Sequence, residues 1–158
     1  MLGPPVDAWY AFIALSIVST VIAGISFDLS TAAAPSATPA AETVDAVAAG
    51  PAPSSGHHPL AADRVRIEST RIAVDRDGTI DTARYRFGPV VPVIPGTPLA
   101  TVLNGAPPEH AFDSEAEFDQ ALGRAQTHEP RWQTVEAGLT VRAVAWNKTD
   151  ATLVGVQS

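Results

Sequence analysis

The chain contains no cysteine. Disulfides, thiolate metal ligands and cysteine nucleophiles are therefore excluded, and any folded part must rest on packing and hydrogen bonds alone. Lysine is nearly missing as well: of the 10 Lys and Arg residues, Lys148 is the one lysine. No Lys or Arg precedes Arg64, so more than a third of the chain carries no basic side chain that is always charged. Against these cations stand 17 Asp and Glu, for a formal net charge of −7. Binding to phosphate backbones requires clustered cations, so no nucleic-acid partner is expected. The same deficit argues against electrostatic docking on anionic lipid.

What the sequence does have is one long uncharged run, Ala8 to Phe27 (AWYAFIALSIVSTVIAGISF). A helix of that length is about 30 Å long, the thickness of a bilayer's hydrocarbon core. Trp9 and Tyr10 lie at one end and Phe27 at the other, as interfacial aromatic anchors do. The expectation is a tail at 1–7 and a single transmembrane helix at 8–27 that contacts the lipid bilayer. The rival reading is a cleaved secretory signal with Ala32-Ala33-Ala34 at its cleavage site. Such a signal has a basic start and a shorter apolar core, and neither is found here.

Residues 28–62 are rich in Ala, Pro, Ser and Thr, with few large apolar side chains to offset ordering entropy. They read as a flexible linker with one short helix at 40–49, stopped by Gly50 and Pro51. Ser/Thr/Pro/Ala stalks usually stand outside cells. The C-terminal domain is accordingly expected to be extracellular, on a single-pass protein of the cell membrane.

From residue 63 to 158 the pattern is that of a small α+β domain, an antiparallel sheet with two short helices. Arg64 to Glu68 and Arg71 to Asp75 alternate charged and apolar residues, and Asp77-Gly78 marks a hairpin turn. The return strand runs from Thr79 to Phe87, with Tyr85 and Phe87 as its core candidates and Ile80 displaced by the turn or a bulge. The proline-rich segment 88–98 is extended and cannot be a central strand. Thr97-Pro98 begins a short helix that Asn104-Gly105 ends. Ser114-Glu115-Ala116-Glu117 is a capping box that opens a second helix, and Pro130 closes it. Leu139 to Asn147 and Ala151 to Val156 form the last strand pair.

Candidate chemistry is sparse. His57-His58 is an adjacent pair on an expected linker, with no closed shell for a metal. Glu109, His110, Asp113, Glu115, Glu117 and Asp119 lack the regular spacing of a Ca²⁺ loop, and they suit the dipole of a helix start. Ser114 lacks a nucleophile elbow and serves as a cap. Trp132 and Trp146 read as core anchors. Arg64, Arg66, Arg71, Arg84 and Arg86 form a solvated sheet face paired with Glu68, Asp75 and Asp81. Asn147-Lys148-Thr149 is an N-glycosylation sequon in a turn, so Asn147 is the candidate modification site. No catalytic residue, cofactor-binding residue or metal ligand is expected, and the chain is expected not to be an enzyme.

Several blocks, VDAWYAFIALSIVS, AAETVDAVAA, HPL, GPVVPV, GTPLATVLNGAPP and DATLVG, resemble an uncharacterised membrane-anchored protein family of haloarchaea. The resemblance runs through most of the chain and carries no residue of assigned role. It implies members encoded beside pilus-type secretion ATPases, hence an accessory or minor pilin-like part in an envelope or secretion assembly, with other membrane-anchored subunits as partners. A prepilin has basic residues before its apolar helix; Gly3 is present here, but no Lys or Arg is. An anchored ligand-binding domain and an envelope enzyme are the alternatives.

Overall fold

Helix α1 (Ala37–Ala48) opens the part of the chain that the computed structural model describes, residues 36–157. Ala37, Ala40, Ala41, Val44 and Val47 recur at helical spacing and are all buried. The start of the helix has no cap from Ser36. Instead Asp81, from a distant strand, accepts the Ala37 N–H at 2.7 Å. Midway along the helix the buried Asp45 accepts the backbone N–H groups of Arg86 (2.8 Å) and Phe87 (3.2 Å).

These contacts overturn the reading of 36–62 as linker. The helix is longer than expected and begins earlier. It is followed by strand β1 (Ser54–His58), which pairs antiparallel with a strand near the C-terminus. The linker expectation counted bulky side chains. Small residues fold here because they allow close approach: a Cβ at Gly56 would lie 2.8 Å from the Val47 Cγ2. Residues 28–35, and the expected span at 8–27 with Trp9, Tyr10 and Phe27, lie outside the described residues. Among the described residues, no helix is long and apolar enough to cross a membrane.

The chain then forms β2 (Arg64–Ile67), β3 (Arg71–Arg76), β4 (Thr79–Arg84), β5 (Val91–Pro92), α2 (Pro98–Leu103), α3 (Pro108–Ala111), α4 (Glu115–Thr127), β6 (Trp132–Thr134), β7 (Gly138–Trp146) and β8 (Thr149–Gln157). The architecture is α+β, with two small sheets where one was expected. The first has the order β1-β7-β8-β5 and the second β4-β3-β2-β6. All pairs are antiparallel except β5 with β8, which is parallel. β5 is an edge strand, the position its prolines allow.

The packing is layered. Helix α1 packs on β3 and β4 of the second sheet and on β1 and β7 of the first, in one core with Ile72, Val74, Leu139, Val141 and Val154, to which Val65 and Ile67 add where β2 meets β8. The opposite face of the first sheet, with Val144 and Leu153, packs on Leu99, Val102, Leu103, Phe112, Phe118 and Leu122 of the α2–α4 layer. The first sheet is thus covered on both faces, which explains why β7 and β8 lack a clean alternation.

Local expectations fare unevenly. Asp77 (φ 51°) and Gly78 (φ 79°) both have positive φ, as a two-residue hairpin loop of the primed kind requires. The β3–β4 register is continuous from Arg76↔Thr79 to Arg71↔Arg84, so Ile80 is not displaced by a bulge. It lies on the outer face, 58% exposed. Tyr85 packs on the core, but Phe87, expected beside it, is 52% exposed because the strand ends at Arg84. At α2, Thr97 occupies the cap position, but its hydroxyl donates to the Ile94 carbonyl. At α4, Ser114 Oγ accepts the Glu117 N–H at 3.2 Å as expected. Glu117 reaches back to the amide of Asp113, one residue before the serine.

Candidate functional site

Proline and aromatic side chains build a largely apolar concavity. The chain leaves β5 through Ile94-Pro95, where proline blocks further pairing and holds the loop away from the sheet. Across from it, α4 ends at Thr127, and Pro130 turns the chain into β6. Between the two lies a hollow of about 340 Å³, lined by Pro92, Ile94, Ala125, His128, Trp132 and Val156, among others. A second hollow of about 280 Å³ continues along α4 to Leu99 and Phe112, and shares Ile94, Ala125 and His128 with the first. The two hollows adjoin as one groove along α4, where Ala125 lines both and Ala121 the second.

Trp132 is no core anchor. It lies on the outer face of the second sheet, opposite Arg66, with the Arg66 guanidinium 5.0 Å and that of Arg64 5.6 Å from its ring centre. Both arginines also pair with acids, Arg66 with Glu68 at 3.1 Å and Arg64 with the buried Asp75. Arg71 joins Glu68 at 2.6 Å, and that hydrogen bond raises the guanidinium's pKa further. The expected arginine face is therefore present at Arg64, Arg66 and Arg71, with two carboxylates paired to three guanidinium groups, two of which lie over the indole. Asp81 is not part of it, being taken up by the start of α1. Trp146, half-buried, packs on Phe118 with centroids 5.9 Å apart.

The groove has ionisable residues at its rim: Glu117, Arg124, His128, Glu129, Arg131 and Glu136. Among the described residues, no hydrogen bond or ion pair joins any of these to another. General acid–base work needs such groups within hydrogen-bond reach of each other or of a common proton. The groove as it stands offers apolar contact and scattered rim charges.

The other singled-out residues have structural positions. His57 and His58 are consecutive in β1, so their side chains project to opposite faces and cannot share a metal ion. His58 Nδ1 lies 3.2 Å from Thr43 Oγ1 on α1. Glu109 and His110 belong to the single turn α3, an element the sequence did not suggest. Glu115 accepts from the Asn147 side-chain amide, the Lys148 N–H and the Thr149 hydroxyl, each at 3.1 Å. These bonds, the Asn147 amide first, hold the Glu115 carboxyl below its ordinary pKa. The sequon thus occupies the exposed β7–β8 turn, with Asn147 at φ 53° and its side chain tied to α4.

Sequence reasoning missed the groove. Its one legible sign is a proline-rich run followed, a helix later, by a tryptophan just past Pro130. Nothing in the spacing says that the two segments meet. The chain belongs to a family of unknown function, DUF7283, whose profile matches residues 3–144, from before the apolar run into β7. No curated protein and no solved structure matches it.

Proposed function

We propose that this chain is a non-enzymatic, membrane-anchored surface protein, an accessory or minor pilin-like component of an envelope or secretion assembly. The uncharged run at 8–27 carries the reading, because water is a poor solvent for it and lipid a good one. The family match supports treating that run and the folded domain as one unit. The resemblance to membrane-anchored haloarchaeal proteins supports the assembly role. The domain is assigned to the outside, where the Asn147 sequon in an exposed turn would meet a glycosylation machinery.

The apolar groove beside Trp132 is the surface we assign to contact within the assembly. A second reading, an anchored ligand-binding domain, is favoured by the same groove, which is concave and largely apolar.

Fractionation and protease shaving of intact cells test the placement. The chain is expected in the membrane pellet, with its domain cut by protease added outside. Uncleaved chain in the cytosol without detergent, or a domain protected until lysis, overturns it. Pull-down from those membranes tests the assembly. Recovery of other anchored subunits, reduced about tenfold by Trp132→Ala as expected for an interface aromatic, supports the role. Recovery of this protein alone overturns it and leaves the ligand-binding reading.

A further inference from the structure

On the face of the first sheet away from α1, the β1–β7 register places Ser55 opposite Arg142 and His57 opposite Thr140. Residues two apart on a strand share a face, so these four side chains form one polar patch. It lines an open bay of about 700 Å³, bounded by Asn104 and Gly105 at the end of α2 and by Gln157. Among the described residues lining it there is no Asp or Glu, in a chain of net charge −7.

Arg142 differs from the arginines of the other sheet. Arg64, Arg66 and Arg71 each hold a carboxylate. Arg142 holds none among the described residues. Its Nη1 donates to the Val102 carbonyl at 2.7 Å, a second bond to an oxygen that already accepts the Gly105 N–H at 3.1 Å, and this fixes the guanidinium in place. The remaining donors of the planar fork have no acceptor among the described residues. Among the described residues the Ser55 and Thr140 hydroxyls likewise have no hydrogen-bond partner, whereas the neighbouring Ser54 hydroxyl is spent on Val47. An oriented, half-buried guanidinium without a counter-ion, ringed by hydroxyl, imidazole and amide groups, suits a charge-assisted hydrogen bond to an oxyanion.

We propose that this bay binds a small hydroxylated molecule through its oxyanion group, carboxylate or phosphate, with Arg142 as the principal donor. His57, Ser55 and Thr140 supply the flanking hydrogen bonds. The bay is larger than an inorganic ion, and its polar walls match hydroxyls better than an apolar body. This bay borders the groove beside Trp132, sharing Gln157 with it, and its ligand is independent of the function assigned to that groove.

The test is calorimetric titration of the full chain in detergent at constant ionic strength, with glucuronate, glucose 6-phosphate and uncharged glucose as probes. Saturable binding of either charged probe, and none of glucose, is expected; the tighter probe identifies the oxyanion. Arg142→Gln should weaken binding at least about tenfold, and Arg84→Gln, on the distant edge strand β4, should leave it unchanged. Because Arg142 also closes the end of α2, His57→Asn and Thr140→Val provide variants that spare that contact. Each should weaken binding severalfold while the thermal midpoint holds. Failure of both charged probes to saturate, equal binding of glucose, or affinities unmoved by the bay variants would overturn the proposal.

Discussion

At the scale of single residues, two buried polar groups contribute in opposite ways. Asp45 is a carboxylate in the core with work for its oxygen: two backbone amides from the loop after β4 converge on Oδ1. Asp45→Ala strands both donors, and a loss of about 2–3 kcal/mol in urea unfolding is expected. Asp45→Asn keeps an acceptor oxygen and should lose distinctly less. Tyr85 is the converse. Its hydroxyl is buried with no hydrogen-bond partner among the described residues. Burial first, then the nearby charges of Asp45 and Glu68, push its pKa above the ordinary 10.0. A raised folded-state value favours the neutral phenol, so its stabilisation is present below pH 10 and is lost as pH climbs toward that raised value. Tyr85→Phe should match or exceed the wild type by up to about 1 kcal/mol at neutral pH, and its alkaline stability curve should be flatter.

Between elements, Glu115 joins the first turn of α4 to the β7–β8 hairpin. Its carboxyl has a lowered pKa because it accepts from Asn147, Lys148 and Thr149. A depressed folded-state value gives stability that is present above the unfolded value, near 4.5, and lost as pH falls through the folded one. The melting temperature of Glu115→Gln should thus fall below wild type at neutral pH, and the two curves should converge in acid. This contact also marks what the sequence can and cannot reveal. The Ser114 cap, the Asp77-Gly78 turn and the proline-bound edge at β5 are legible because each depends on a few adjacent residues. That Glu115 is spoken for by a turn thirty residues on, or that Asp81 caps α1, depends on which segments meet. The groove was illegible for the same reason, since its walls come from both sides of α4. Phe87 misled because period-2 alternation predicts a face only while pairing lasts, and β4 stops at Arg84.

Across the whole molecule, the decisive feature is that the buried face of α1 is shared by both sheets, while Pro39, Glu42 and Ala46 stay exposed on the other side. Ile72 and Val74 of the second sheet and Leu139, Val141 and Val154 of the first share its core cluster, which Val65 and Ile67 complete where β2 meets β8. Composition placed the domain boundary at residue 63, because alanine and valine look too small to make a core. In the fold they are the core's middle layer, and the boundary falls near residue 36. A chain that begins at Ser36 is therefore expected to melt cooperatively. One that begins at Asp63 loses α1 and the edge strand β1 together. It should show no cooperative transition and should bind hydrophobic dyes, as a domain without a closed core does. Adding back a peptide of residues 36–62 should restore the transition, because what it supplies is a matching surface for both sheets. Within the longer chain, Val44→Ala should cost about 2 kcal/mol, since Val44 is fully buried between the layers. If the chain starting at Asp63 melts as sharply as the one starting at Ser36, the helix is an accessory to the domain and the layered account of its stability fails.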